Sequence, residues 1–206
     1  VLRTADSAVD TGQFYMWAMW TPSAVQPATL HVVGGQLVGA SGVDVGGVLY
    51  DVEFVEGTCI SVFNDCDSPD DFVFSDLPTV DLASQALVDQ VFLDGVTGNF
   101  DSDPASTFGC TNATVGSAQT PYSLVDLDGV RVGIALNGAA ETSDGIGNGD
   151  TVRTSDSAAG LGQFYVFAVW TPVATPPVVP GPGLLVGLAL LVTGAMRRNL
   201  GTSRSH

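Results

Sequence analysis

GVLYDVEFV, residues Gly47–Val55, decides the fold class. Val48, Tyr50, Val52 and Phe54 fall on one face of an extended chain, and Asp51 and Glu53 fall on the other. That period of two, carried by β-branched and aromatic residues, marks a half-buried strand rather than a helix. Upstream, Leu30–Val33 and Gln36–Val38 flank Gly34-Gly35 and read as a tight hairpin. Downstream, Cys59–Phe63 reads as a short strand after a turn at Gly57, and Asn64–Asp71 as an acidic loop. Val80–Leu93 is the one main helix. Ala83, Leu87 and Val91 form its apolar stripe, Val80, Ala86 and Phe92 widen it, Thr79 is the expected N-cap and Gly95 lies past its end. Asp94–Thr120 is long, polar and reads as irregular, while Ser123–Asp126 and Gly129–Leu136 form a second hairpin around Asp128-Gly129. Gln163–Trp170 is apolar on both faces, with Phe164, Val166, Ala168 and Trp170 against Tyr165, Phe167 and Val169. Such a strand belongs at the centre of a sheet covered on both sides, or else it displays a patch that binds something.

That last strand has a twin. Arg3–Pro22 (RTADSAVDTGQFYMWAMWTP) and Arg153–Pro172 (RTSDSAAGLGQFYVFAVWTP) align without a gap at an offset of 150 residues, with 13 of 20 positions identical. Chance does not produce this, so the segments descend from a duplication. Residues 23–172 then form one complete β-rich α+β repeat domain, and residues 1–22 the last strand of a truncated upstream repeat. The rival reading pairs the first strand inside the same domain as its twin. The sequence opens at Val1 without the basic and apolar regions of a secretory leader, so the chain is expected to be a mature form or a fragment.

The C-terminal end has a different grammar. Residues 173–182 are a Pro-rich linker, Gly183–Met196 (GLLVGLALLVTGAM) is an unbroken run of apolar and small residues, Arg197-Arg198 follow it, and residues 199–206 are a polar tail. As a helix the run would span roughly 21 Å, short of the ~20 residues of a full membrane crossing. Its lack of any polar face, the prolines before it and two arginines able to snorkel to the interface favour insertion over a core helix. The expected architecture is therefore α+β, a mostly antiparallel β-sheet with one main amphipathic helix, plus a C-terminal single transmembrane helix over residues 183–198. Arg197 and Arg198 would form its basic stop and leave residues 1–182 outside.

Val179, Pro180, Gly181 and Pro182, then the apolar run and the arginine pair, resemble the PEP-CTERM sorting signal of Gram-negative bacteria. In that family a Val-Pro-Glu-Pro motif precedes a short transmembrane helix and an Arg-rich end, and Gly181 stands here where the family has Glu. The resemblance implies export, processing by a membrane exosortase, and a place at the cell surface or in the extracellular matrix. It extends into the body, where residues 42–59, 84–95 and 162–172 look like a domain common in PEP-CTERM proteins of unassigned activity.

Composition agrees with export. The chain has 22 acidic residues against 6 Lys plus Arg, for a formal charge of −16, and every one of the six is Arg. Three of the arginines lie in the tail, so the body is more acidic still. Nucleic acid is excluded as a partner, because nothing could neutralise its phosphates. Among three cysteines, Cys59 and Cys66 are the expected disulfide, with two buried thiols as the alternative and Cys110 left over.

Most catalytic chemistries lack their parts. His31 is the only histidine before the terminal His206, which leaves too few for His-paired nucleophiles or multi-His metal sites. Gly39-Ala40-Ser41-Gly42-Val43 lacks the final glycine of a nucleophile elbow, and without Lys there is no P-loop or Schiff base. Two carboxylates could hydrolyse glycosides, but so acidic a chain places some pair at the right distance whatever its function. Calcium is the better chemical idea. Asn99, Asp101 and Asp103 have the oxygen spacing that opens an EF-hand, yet Pro104 and Cys110 stand where Gly and Glu belong. Asp144–Asp150 (DGIGNGD) is similar to a Gly-Asp calcium turn, and Asp65, Asp67, Asp70 and Asp71 crowd one loop. Solvated acidic loops are the competing account of all three stretches.

The reading is an exported bacterial cell-surface or matrix protein, anchored to the membrane through its C-terminal helix or released after processing. Its role would be structural or adhesin-like, without enzymatic activity and without a cofactor beyond this weak calcium. Extracellular polysaccharide is a candidate partner. The alternative is a secreted carboxylate-based hydrolase acting on surface polysaccharide.

Overall fold

The computed structural model describes residues 27–126, 128–140, 143–156 and 165–174. Both expectations for the ends, the N-terminal twin over residues 1–22 and the sorting motif, apolar run and basic stop over 175–206, lie outside the described residues.

Nine strands, β1 (Thr29–Val33), β2 (Gln36–Val45), β3 (Val48–Val55), β4 (Asp94–Gly95), β5 (Gly98–Asn99), β6 (Val115–Asp126), β7 (Gly129–Gly138), β8 (Gly145–Arg153) and β9 (Tyr165–Pro172), two α-helices, α1 (Cys59–Val62) and α2 (Leu77–Gln90), and three short 3-10 turns (Asn64–Cys66, Pro69–Asp71 and Pro104–Ser106) make up the described fold. Strand accounts for 49% and helix for 21%, so the class is mostly β rather than α+β. Seven strands form one sheet in the order β1-β2-β3-β9-β6-β7-β8, and β4-β5 form a separate small hairpin. The sheet is mixed. β9 runs antiparallel to β3 but parallel to β6, with Ser117, Ala118 and Gln119 opposite Tyr165, Val166 and Phe167. The expected antiparallel sheet is corrected at this junction. Hairpins build the two halves, and β9 returns from the far edge to join them in the middle. No helix of the described residues is long and apolar enough to cross a membrane; the expected C-terminal transmembrane helix, residues 183–198, lies outside them.

β9 sits at the centre with three strands on either side, which is where its two apolar faces have to be. Val166, Ala168 and Trp170 join a core shared with Leu37, Val52, Phe54, Val80, Leu87 and Phe92. Tyr165 and Phe167 join the second core, with Cys59, Phe63, Cys66 and Phe72, and Val169 packs against it. Of the two readings of this strand, core packing holds for its described part: Tyr165 through Ala168 are each 1% exposed or less.

α2 covers the first face. Its N-cap is Asp76, whose carboxylate accepts from the Thr79 amide at 3.0 Å, and Pro78 occupies the first turn. The helix therefore begins before the expected Thr79 cap, because proline fits the first turn of a helix where its missing N–H is no loss. At the other end Gln90 clamps β2, accepting from the Asp44 amide at 2.9 Å and donating to the Asp44 carbonyl at 2.8 Å. Gly133 of β7 lets the helix approach, since a Cβ there would run into the Val80 side chain.

The second face is covered by residues 58–72. Cys59–Val62 is a single helical turn, not a strand. Thr58 caps it reciprocally, accepting from the Ser61 amide at 3.1 Å while Ser61 Oγ accepts from the Thr58 amide at 2.9 Å. Asp94–Thr120 is likewise less irregular than expected, holding the β4-β5 hairpin and the first half of β6.

Candidate functional site

A concavity of about 210 Å³ lies where the second-face loop meets the end of the central strands. Thr120 and Pro121 of β6 and Ala168, Val169 and Trp170 of β9 line one side, and Val62, Phe63, Asn64, Asp71, Val73 and Phe74 line the other. Its walls are mostly apolar, with polar groups supplied by Asn64, Asp71 and Thr120. Trp170 is held by its indole N–H, which donates to Thr120 Oγ1 at 3.0 Å, and by edge-on packing against Tyr50 and Phe74.

A disulfide between Cys59 and Cys66 closes the loop, with the Cα atoms 5.6 Å apart. Inside that ring Asn64, Asp65 and Cys66 all have left-handed backbone, at φ of 41°, 70° and 54°. Three consecutive non-glycine residues in that region are costly, and the disulfide and Phe63–Phe72 ring packing hold them there. The Asp71 carboxylate ties the loop together, accepting from the Ser68 amide at 2.9 Å, Asn64 Nδ2 at 3.2 Å and the Asp67 amide at 3.1 Å. The Ser68 amide first, then Asn64, hold the Asp71 carboxyl below its ordinary value.

The sequence-chosen calcium residues fall on two stretches, the end of β5 with the turn after it and the segment that leads into and along β8. Asn99 ends β5, and the amides of Asp101 and Ser102 both donate to Asp94, at 3.0 and 3.1 Å. Those bonds, with that of the Ser102 side chain, hold the Asp94 carboxyl below its ordinary value, the side-chain bond contributing most. Asp103 accepts from Ser106 Oγ at 2.7 Å. Asp144 accepts from the Gly138 amide at 2.7 Å, and Asp150 lies on the edge strand β8 opposite Val132. DGIGNGD is thus largely strand rather than a turn. No group of three or more His, Cys, Asp or Glu able to hold a metal ion occurs among the described residues.

His31 and Ser41 form a hydroxyl–imidazole contact, Oγ to Nε2 at 2.8 Å across β1 and β2. Asp51 on β3 accepts the Gly42 amide at 3.0 Å, so its Oδ1 braces the β2 bulge. Cys110 lies outside the disulfide and is buried, and burial pushes its thiol up to about 11, far from the range of a reactive cysteine. Sequence reasoning found the acidic loop and Trp170 separately. It missed that they share a concavity with Thr120 and Pro121, because no local signal ties a loop to strands so far away in sequence.

Comparison with models of known protein families, with curated proteins and with solved structures returned no match.

Proposed function

We propose that this chain is an exported bacterial protein of the cell surface or extracellular matrix, with a structural or adhesin-like body and a C-terminal sorting segment. The order of elements in its tail carries the reading: Val179-Pro180-Gly181-Pro182, then the apolar Gly183–Met196, then Arg197-Arg198. Two features of the body support it. The Cys59–Cys66 disulfide suits an oxidising compartment. A formal charge of −16 keeps a crowded surface protein soluble and keeps it away from nucleic acid.

The test is the intact mass of the protein recovered from each fraction of the cells that make it. A surface or medium form cut near Val179–Gly183 is the expected result. Full-length chain confined to the membrane fraction removes processing from the reading, and uncut chain in the cytosol overturns export altogether.

A further inference from the structure

The sheet has one central slot, between β3 and β6, and the sequence carries two segments with the pattern that fills it. β9 fills the slot, and each described residue of β9 has a counterpart in Tyr15–Pro22. Five of the eight positions are identical, and the three that differ, two of them as buried as any, keep an apolar side chain. Tyr165, fully buried, is matched by Tyr15. Ala168, 1% exposed, is matched by Ala18, and Trp170, whose indole N–H seeks Thr120, by Trp20. Thr171 and Pro172, opposite Asp51 and Tyr50, are matched by Thr21 and Pro22. The differences are Met16 for Val166, Trp17 for Phe167 and Met19 for Val169, all still apolar, and two of the three are flexible methionines.

The connection also fits. β9 descends to Pro172 opposite Tyr50, Tyr50 stands opposite Val43, and β1 starts upward at Thr29 opposite Ser41, at the same level. A strand leaving the slot at that level must cross three strand spacings, roughly 14 Å, to reach β1. Residues 23–28 lie between Pro22 and Thr29, and a stretch of that length reaches roughly 20 Å. Pro27 and Thr29 line the same surface concavity as Val173, so the start of β1 and the exit of β9 are already neighbours.

We propose that the central slot accepts Tyr15–Pro22 of the same chain in place of β9, making this a strand-exchange domain. Exchange swaps one set of main-chain hydrogen bonds and one pair of apolar faces for another, so the two states differ by few interactions. It frees Tyr165–Pro172 together with everything C-terminal to it.

The test uses the full chain. Phe167→Asp puts a carboxylate into the second core between Phe63 and Tyr165, an unfavourable site for an unpaired charge. If exchange operates, the altered strand leaves, Trp17 takes its place, and the variant keeps a cooperative thermal transition and its near-ultraviolet circular dichroism. Phe167→Asp combined with Trp17→Asp then loses both signals. In the Phe167→Asp chain carrying Cys110→Ala, Met19→Cys and Glu53→Cys, mild oxidation is expected to link positions 19 and 53 within one chain, as Val169 now stands opposite Glu53. Unfolding of the single Phe167→Asp variant to the extent of the double one overturns the proposal. So does a folded single variant with positions 19 and 53 unlinked, and a link formed only between two chains gives the slot to a second copy instead.

Discussion

Gln90 is the side chain on which the helix-to-sheet register most visibly depends. Its amide satisfies both the N–H and the carbonyl of Asp44, two main-chain groups on β2 that its loss would leave with weaker partners. Gln90→Ala is expected to lower the unfolding free energy by about 1–2 kcal/mol. Gln85→Ala, which removes only an exposed bond to Asp89, is expected to change it by less than about 0.5 kcal/mol. Denaturant titration of both variants checks the contrast. Asp71 and Asp94 act through pH. Both carboxyls are held below their ordinary value of 3.8 in the folded chain, so between the folded and unfolded values the unfolded chain binds more protons. Their stabilisation is whole above 3.8 and is lost as pH falls through the folded values. Asp71→Asn is therefore expected to flatten the acid limb of a stability-against-pH curve while leaving the neutral limb's slope unchanged, and an unchanged acid limb would remove Asp71 from the account.

Elements were legible where a local pattern was matched to its burial. β3 declared itself by alternation, and the centre of the sheet declared itself by two apolar faces on residues 165–170. β8 did not, because Gly145, Gly147 and Gly149 in GIGNGDTVR read as loop, and its pairing with β7 rather than its own propensity makes it a strand. α1 was misread because Cys-Ile-Ser-Val looks like a strand, and only the Thr58–Ser61 reciprocal cap turns it into a helical turn. The parallel pairing of β6 with β9 was illegible for a different reason: nothing within either strand states which neighbour it will find. The same holds for the candidate site, whose Asn64 and Asp71 come from one loop and whose Thr120 and Trp170 come from two strands. The disulfide loop is where this scale can be probed. Its ring places Phe63 edge-on to Phe167 and Phe72 beside Phe63, so it fastens the lid of the second core. Closing so short a ring restricts the unfolded chain by about 2–3 kcal/mol. Reduction, or paired Cys59→Ala and Cys66→Ala, is expected to cost that much and to relax the left-handed backbone at Asn64 and Asp65. Hydrogen exchange should then quicken across residues 58–72 while α2 stays protected; equal quickening of α2 would show the two faces to be one cooperative unit.

For the whole molecule the dominant force not visible in any single contact is its charge. Twenty-two acids against six arginines leave a formal −16, and several of the described carboxylates cap their own turns, as Asp71, Asp76, Asp94 and Asp144 do. Capping satisfies amide donors but does not neutralise the net charge, so self-repulsion opposes compaction at every pH where the acids are ionised. Mobile ions screen this repulsion over a Debye length of about 30 Å at 0.01 M and about 3 Å at 1 M. The melting temperature is therefore expected to rise with sodium chloride across that range, and most steeply at its low end, where screening changes over distances comparable to the domain. Sodium and calcium at matched ionic strength separate general screening from a cation site. Coincident curves mean that the acidic turns are solvated and merely screened. An extra rise with calcium at millimolar concentration would mean that some of these carboxylates converge on an ion when one is present, and Asp144→Asn, Asp150→Asn and Asp101→Asn, each tested alone, would then show which.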